Sequence, residues 1–78
     1  FDPEIALYAN DEDGIEFYKK ITENSSRVLN SRGFLAFELG INQADKVADI
    51  MCKNNYADIE VIKDLAGIER VIVGRLNS

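Results

Sequence analysis

The segment that most constrains the fold is residues 60–76, EVIKDLAGIERVIVGRL. Two apolar runs flank the turn residues 64–67, and so short a connection predicts an antiparallel hairpin. The second run contains Val71, Ile72 and Val73 with no polar residue between them. An uninterrupted apolar run is typical of a strand that is buried on both faces. We therefore predict that the last strand lies inside a sheet, not at its edge.

Two earlier segments predict helices. Asp13 and Glu16 form a capping box ahead of an apolar stripe, which predicts a helix over about residues 14–29. Asn42 is expected to cap a second helix that ends near residues 54–55. Both segments have apolar residues on one helical face, so each helix is expected to pack against the sheet through that face.

The remaining segments predict two more strands and the order of the sheet. Residues 34–39 are short and apolar between two glycines, and Ile59 and Val61 mark the next strand. The connection through the second helix fits a right-handed parallel crossover. The predicted fold is an α/β unit over residues 13–78, ordered helix, strand, helix, strand, strand, with the last strand antiparallel and inserted between the other two. Residues 1–12, which contain a proline and a polar run, are predicted to be an irregular loop.

The charge and the residue content exclude several classes of protein. A net charge of −5 disfavours direct binding of nucleic acid or of an anionic membrane surface. No apolar run reaches the roughly 20 residues of a membrane-spanning helix. The chain has no histidine, the usual general base near neutral pH, and Cys52 is its only cysteine. A reducing compartment, the cytoplasm, is therefore expected. The acidic residues 11–13 are interpreted as a solvated loop, so no metal site is predicted.

Four segments together carry a more specific pattern. They are D-P-E-I-A-L at 2–7, D-G-I-E-F-Y at 13–18, G-F-L-A-F-E-L-G-I-N-Q at 33–43 and K-D-L-A-G-I-E-R-V at 63–71. In order and in spacing they resemble the C-terminal part of the release-factor glutamine methyltransferases, the HemK/PrmC family. The resemblance implies the end of a Rossmann-like class I methyltransferase sheet.

The resemblance also implies an activity for the intact enzyme. Members of the family use S-adenosylmethionine to methylate the side-chain amide of a glutamine in peptide-chain release factors. The N-terminal helical domain, the glycine-rich cofactor loop and the Asn-Pro-Pro-Tyr motif of the family have no counterpart in this sequence. We therefore expect a fragment that contains no catalytic residue, binds no cofactor and is inactive alone.

Four residues are candidates for the substrate side of the intact enzyme. Pro3, Ala6 and Leu7 come shortly after the position of the missing motif, although a loop that packs on the sheet is the simpler interpretation. Glu38 interrupts an apolar strand at its carboxyl end, which faces the ligand crevice in open α/β sheets. It either lines the substrate side or accepts hydrogen bonds from backbone amides of the next helix.

Two other functions stay open. In a standalone interaction module, residues 34–39 would form an unpaired sheet edge that binds a partner strand or a second copy as a homodimer. That edge carries neither charge nor proline, which favours the fragment instead. A related methyltransferase could act on a ribosomal-protein glutamine or on nucleic acid. Residues 63–67 with Arg70 favour the release-factor type.

Overall fold

A computed structural model of the chain describes residues 5–9, 14–28 and 33–77. It contains two helices and four strands: β1 (Ile5–Tyr8), α1 (Ile15–Val28), β2 (Phe34–Glu38), α2 (Ala44–Lys53), β3 (Tyr56–Lys63) and β4 (Glu69–Leu76). The predicted α/β class is confirmed, and so is the order of the elements from α1 onward. Asp13, the predicted cap of α1, lies outside the described residues.

The prediction of an irregular loop over residues 1–12 is wrong where β1 forms. β1 pairs in parallel with β2, from Ile5 opposite Phe34 to Tyr8 opposite Phe37. Four residues contain too little local pattern to reveal a strand, because this strand depends on its partner. β2 consequently has a neighbour on each side. The alternative of an interaction module assumed an unpaired edge along residues 34–39, and that assumption is wrong because β1 already pairs with this edge.

The sheet has the order β1-β2-β4-β3. β4 is antiparallel to β2, with Val73 opposite Ala36, and antiparallel to β3, with Ile72 opposite Val61. β2 and β3 are thus parallel and connected through α2. The predicted insertion of the last strand between the other two is confirmed.

Both helices pack on the same face of the sheet and enclose the core. The core residues are almost completely buried and come from α1, α2 and the last three strands: Tyr18, Leu35, Phe37, Val47, Met51, Tyr56, Ile72 and Leu76. The predicted burial of β4 on both faces holds for one face only. Ile72 is buried under the helices, whereas Val71 and Val73 are half-buried on the opposite, open face.

The start of α2 differs from its prediction. Gln43 occupies the N-cap position, and its side chain makes no capping hydrogen bond. Asn42, the predicted cap, lies one residue earlier with a φ of 60°, a left-handed conformation that asparagine adopts more readily than most residues. Neither helix in the described part of the chain is long and apolar enough to cross a membrane.

Candidate functional site

The candidate site lies at the edge of the sheet where the parallel strands end. β1 ends at Tyr8 and β2 at Glu38, side by side. β4 starts at the same edge, where the backbone N–H of Leu39 donates to the carbonyl oxygen of Arg70 at 2.8 Å. We call this region, Tyr8 with residues 38–43 and 69–71, the carboxyl edge. In open α/β sheets this is the edge at which ligands bind.

A polar cluster of three residues fixes the turn after β2. The hydroxyl of Tyr18, on α1, donates to Gln43 Oε1 at 2.7 Å. The backbone N–H of Gly40 lies 3.1 Å from each of these two oxygens and donates to both. Tyr18 is completely buried. The three residues, which we call the Tyr18–Gly40–Gln43 cluster, therefore attach α1 to the turn between β2 and α2.

This turn does not fit S-adenosylmethionine. A cofactor cradle needs free backbone donors and open space above a glycine. Here the Gly40 N–H already has two acceptors, and a Cβ placed on Gly40 would lie 2.5 Å from Gln43 Oε1. The protein's own side chain fills the space that a ligand would need. Among the described residues, the turn between β2 and α2 thus supports no cofactor role.

The structure brings together two of the four predicted substrate-side residues. Leu7 and Glu38 are exposed on the open face of the sheet and line one shallow, largely apolar depression of about 470 Å³. Ala6 lies on the other face, where it packs against the core. Pro3 lies outside the described residues. At the turn after β2, Gln43 and not Glu38 supplies the side-chain acceptor for the Gly40 N–H.

The sequence pattern did not single out Tyr18 or Gln43 as site residues. Tyr18 packs edge-to-face on Phe37, with ring centroids 5.1 Å apart, as an ordinary core aromatic does. Its hydroxyl, however, reaches a residue of a different element. The one available signal was that Tyr18, Gly40 and Gln43 each fall in one of the four family-like segments.

The hairpin between β3 and β4 is held by one carboxylate. Asp64 accepts hydrogen bonds from the backbone N–H groups of Ala66 (2.9 Å) and Ile68 (3.0 Å) and from Arg70 Nε (2.7 Å). The backbone bond from Ile68, followed by the Arg70 side chain, lowers the pKa of Asp64 below its usual value. The bonds give residues 63–71 a structural role, and they place Arg70 beside the carboxyl edge.

The described residues offer few other reactive or metal-binding side chains. Cys52 is exposed on α2. No group of three or more histidine, cysteine, aspartate or glutamate side chains in this part of the chain could hold a metal ion.

Comparison with known proteins connects this architecture to one family. The chain is 43% identical over 63 residues to a release factor glutamine methyltransferase of Fusobacterium nucleatum, across 81% of this chain and 18% of the relative. It is 38% identical over 73 residues to one of Clostridium acetobutylicum, across 94% of this chain and 25% of the relative. Over most of its length the chain is thus a relative of the release factor glutamine methyltransferases. It spans about a quarter or less of the length of these relatives. No family profile matches it.

A solved structure supports the same relationship. The release-factor-specific protein-(glutamine-N5) methyltransferase of Alicyclobacillus acidocaldarius superposes with a TM-score of 0.70 at 29% identity. The match covers 90% of this chain and 46% of that structure. The resemblance seen in the four segments is thus confirmed, and so is the predicted class I methyltransferase sheet.

Proposed function

We propose that the chain is the C-terminal part of the catalytic domain of an S-adenosylmethionine-dependent methyltransferase. The intact enzyme methylates the side-chain amide of a glutamine in peptide-chain release factors, in the cytoplasm. The observation that carries the proposal is the match to relatives named for this activity over 81% and 94% of the chain. The inserted antiparallel strand β4 supports it, because the Alicyclobacillus enzyme superposes on the same sheet.

Within that enzyme, the chain's contribution is structural support and the substrate side of the site. The turn after β2 has no room for a cofactor, so we assign S-adenosylmethionine to the remainder of the enzyme. Leu7 and Glu38 share the open face next to the carboxyl edge and are our candidates for contact with the acceptor. Pro3 remains a candidate from its position in the sequence. Ala6 packs toward the core and supports β1.

A chimera tests the proposal. The matching segment of the Fusobacterium nucleatum relative is replaced by this chain, and transfer of a labelled methyl group to a purified bacterial release factor is measured. We expect the chimera to methylate the release factor and the isolated chain to be inactive. The control is the same chimera with Ile72→Asp, which places a charge in the core and should abolish folding.

The result also separates the competing functions. A folded chimera that does not methylate the release factor would contradict the proposal. Methyl transfer to ribosomal proteins or to nucleic acid, measured in the same assay without transfer to the release factor, would replace the proposed substrate. Activity of the isolated chain would contradict the assignment of the cofactor to the rest of the enzyme.

A further inference from the structure

The hydrogen bonds of the Tyr18–Gly40–Gln43 cluster are not needed to form α2. An N-cap side chain usually accepts a hydrogen bond from the first turn of its helix. Gln43 stands at the N-cap of α2, yet its side chain turns away from the helix and reaches Gly40 and Tyr18. α2 therefore has no side-chain cap from Gln43. The Gln43 oxygen instead accepts two hydrogen bonds at the turn after β2, one from Tyr18 and one from Gly40.

Several features together fix the backbone conformation of the turn after β2. Gly40 has no side chain at the place where Gln43 Oε1 lies, and Asn42 adopts a left-handed backbone conformation. Such over-determined, partly strained turns occur where a fixed geometry is needed. The carbonyl oxygen of Glu38 also lies 3.4 Å from the Tyr18 hydroxyl. The cluster therefore fixes the end of β2, from which the Glu38 side chain projects.

A second buried tyrosine provides a natural comparison at the opposite edge of the sheet. Tyr56 opens β3, and its hydroxyl lies 2.8 Å from Ser25 Oγ on α1. Tyr18 and Tyr56 are 0% and 3% exposed, and each makes a side-chain hydrogen bond of nearly the same length. The two hydroxyls thus tie α1 to the two opposite edges of the sheet. The Tyr18 hydroxyl lies at the carboxyl edge, next to Glu38, whereas the Tyr56 hydroxyl lies at the opposite edge, next to Ser25.

We propose that Tyr18 and Gln43 are positioning residues for the methyl acceptor. They hold the end of β2 in place so that Glu38 presents a fixed geometry to the substrate protein. This inference rests on the proposed function. It goes beyond that function because it assigns a role to two residues that do not contact the substrate. Tyr18 is completely buried, and the Gln43 side-chain oxygen is bound by Tyr18 and Gly40.

The test compares two tyrosine variants in the active chimera. Tyr18→Phe and Tyr56→Phe each remove one buried hydroxyl, and each should lower stability. We expect Tyr18→Phe to lower kcat/KM for the release factor by about tenfold or more, because small displacements of positioning groups are costly in rate. The KM for S-adenosylmethionine should stay unchanged, and Tyr56→Phe should retain the kinetics of the parent chimera.

Two variants of Gln43 sharpen the comparison. Gln43→Glu keeps an acceptor oxygen for both the Tyr18 hydroxyl and the Gly40 N–H, so it should retain most of the activity. Gln43→Leu removes the acceptor and should behave like Tyr18→Phe. Equal kinetics for Tyr18→Phe and Tyr56→Phe in an active chimera would overturn this inference and leave the proposed function standing. An inactive parent chimera would overturn both.

Discussion

Met51 packs directly on Gly74: a Cβ added to Gly74 would lie 2.8 Å from Met51 Cε. α2 therefore approaches β4 at Gly74 as closely as a glycine allows. The same Cβ would lie 3.2 Å from Ile59 Cγ1 and 3.3 Å from Tyr56 Cβ. Glycine in a strand interior often marks such an approach of another element. Space for the helix, not backbone freedom, explains this glycine.

Gly74→Ala is expected to destabilise the chain by about 1–2 kcal/mol, the lower part of the range for an overpacked core. The cost is limited because the nearest atom is the end of a flexible methionine side chain. Urea unfolding of Gly74→Ala, Met51→Leu and the double variant measures it. Because leucine has no counterpart of the Cε atom, we expect the double variant to lose less unfolding free energy than the two single variants lose in sum. Strict additivity would contradict the packing described above.

Ile72→Ala should cost about 2–5 kcal/mol, the usual range for emptying a fully buried position. Val71 is only half-buried on the open face, so Val71→Ala should cost about 1 kcal/mol or less. The two residues are neighbours in the same strand, which makes each the control for the other. Equal losses in urea unfolding would mean that both faces of β4 are equally buried.

Asp64 should make stability depend on acidic pH. Its pKa in the folded state lies below the usual value of 3.8, so folding stabilises the ionised carboxylate relative to the unfolded chain. The resulting stabilisation is present above that value and is lost as the pH falls through the lowered pKa. The free-energy difference between the parent and Asp64→Asn should therefore shrink in that window. A difference that is independent of pH would contradict the hydrogen bonds assigned to this carboxylate.

Tyr56 should act at the opposite end of the pH scale. Burial raises the pKa of Tyr56 above the usual value of 10.0, and the hydrogen bond with Ser25 lowers it by a smaller amount. The stabilisation from the neutral phenol is complete below that value and is lost as the pH rises through the raised pKa. Spectrophotometric titration of the phenolate band in the parent and in Tyr56→Phe isolates this group. A late-titrating tyrosine should be present in the parent and missing from the variant.

The inner position of β4 could be predicted because its apolar run, Val71–Val73, is typical of a strand inside a sheet. Its half-open face could not be predicted, because what covers a sheet depends on elements elsewhere in the chain. β1 escaped prediction for a related reason: its four residues become a strand only through the pairing with β2. The sequence also marked Glu38, by its polar interruption of an apolar strand. It did not mark the bond between Tyr18 and Gln43, since residues 25 positions apart meet only after α1 has packed on the sheet.

We propose that this chain supplies part of the sheet and the substrate side of the site, and that S-adenosylmethionine binds to the rest of the enzyme. This division of roles is tested by a calorimetric titration of S-adenosylmethionine into the isolated chain, shown to be folded by circular dichroism. We predict no binding heat from the folded chain. Saturable binding with one cofactor per chain would overturn this division of roles, because this chain would then contain a cofactor site outside the filled turn at Gly40.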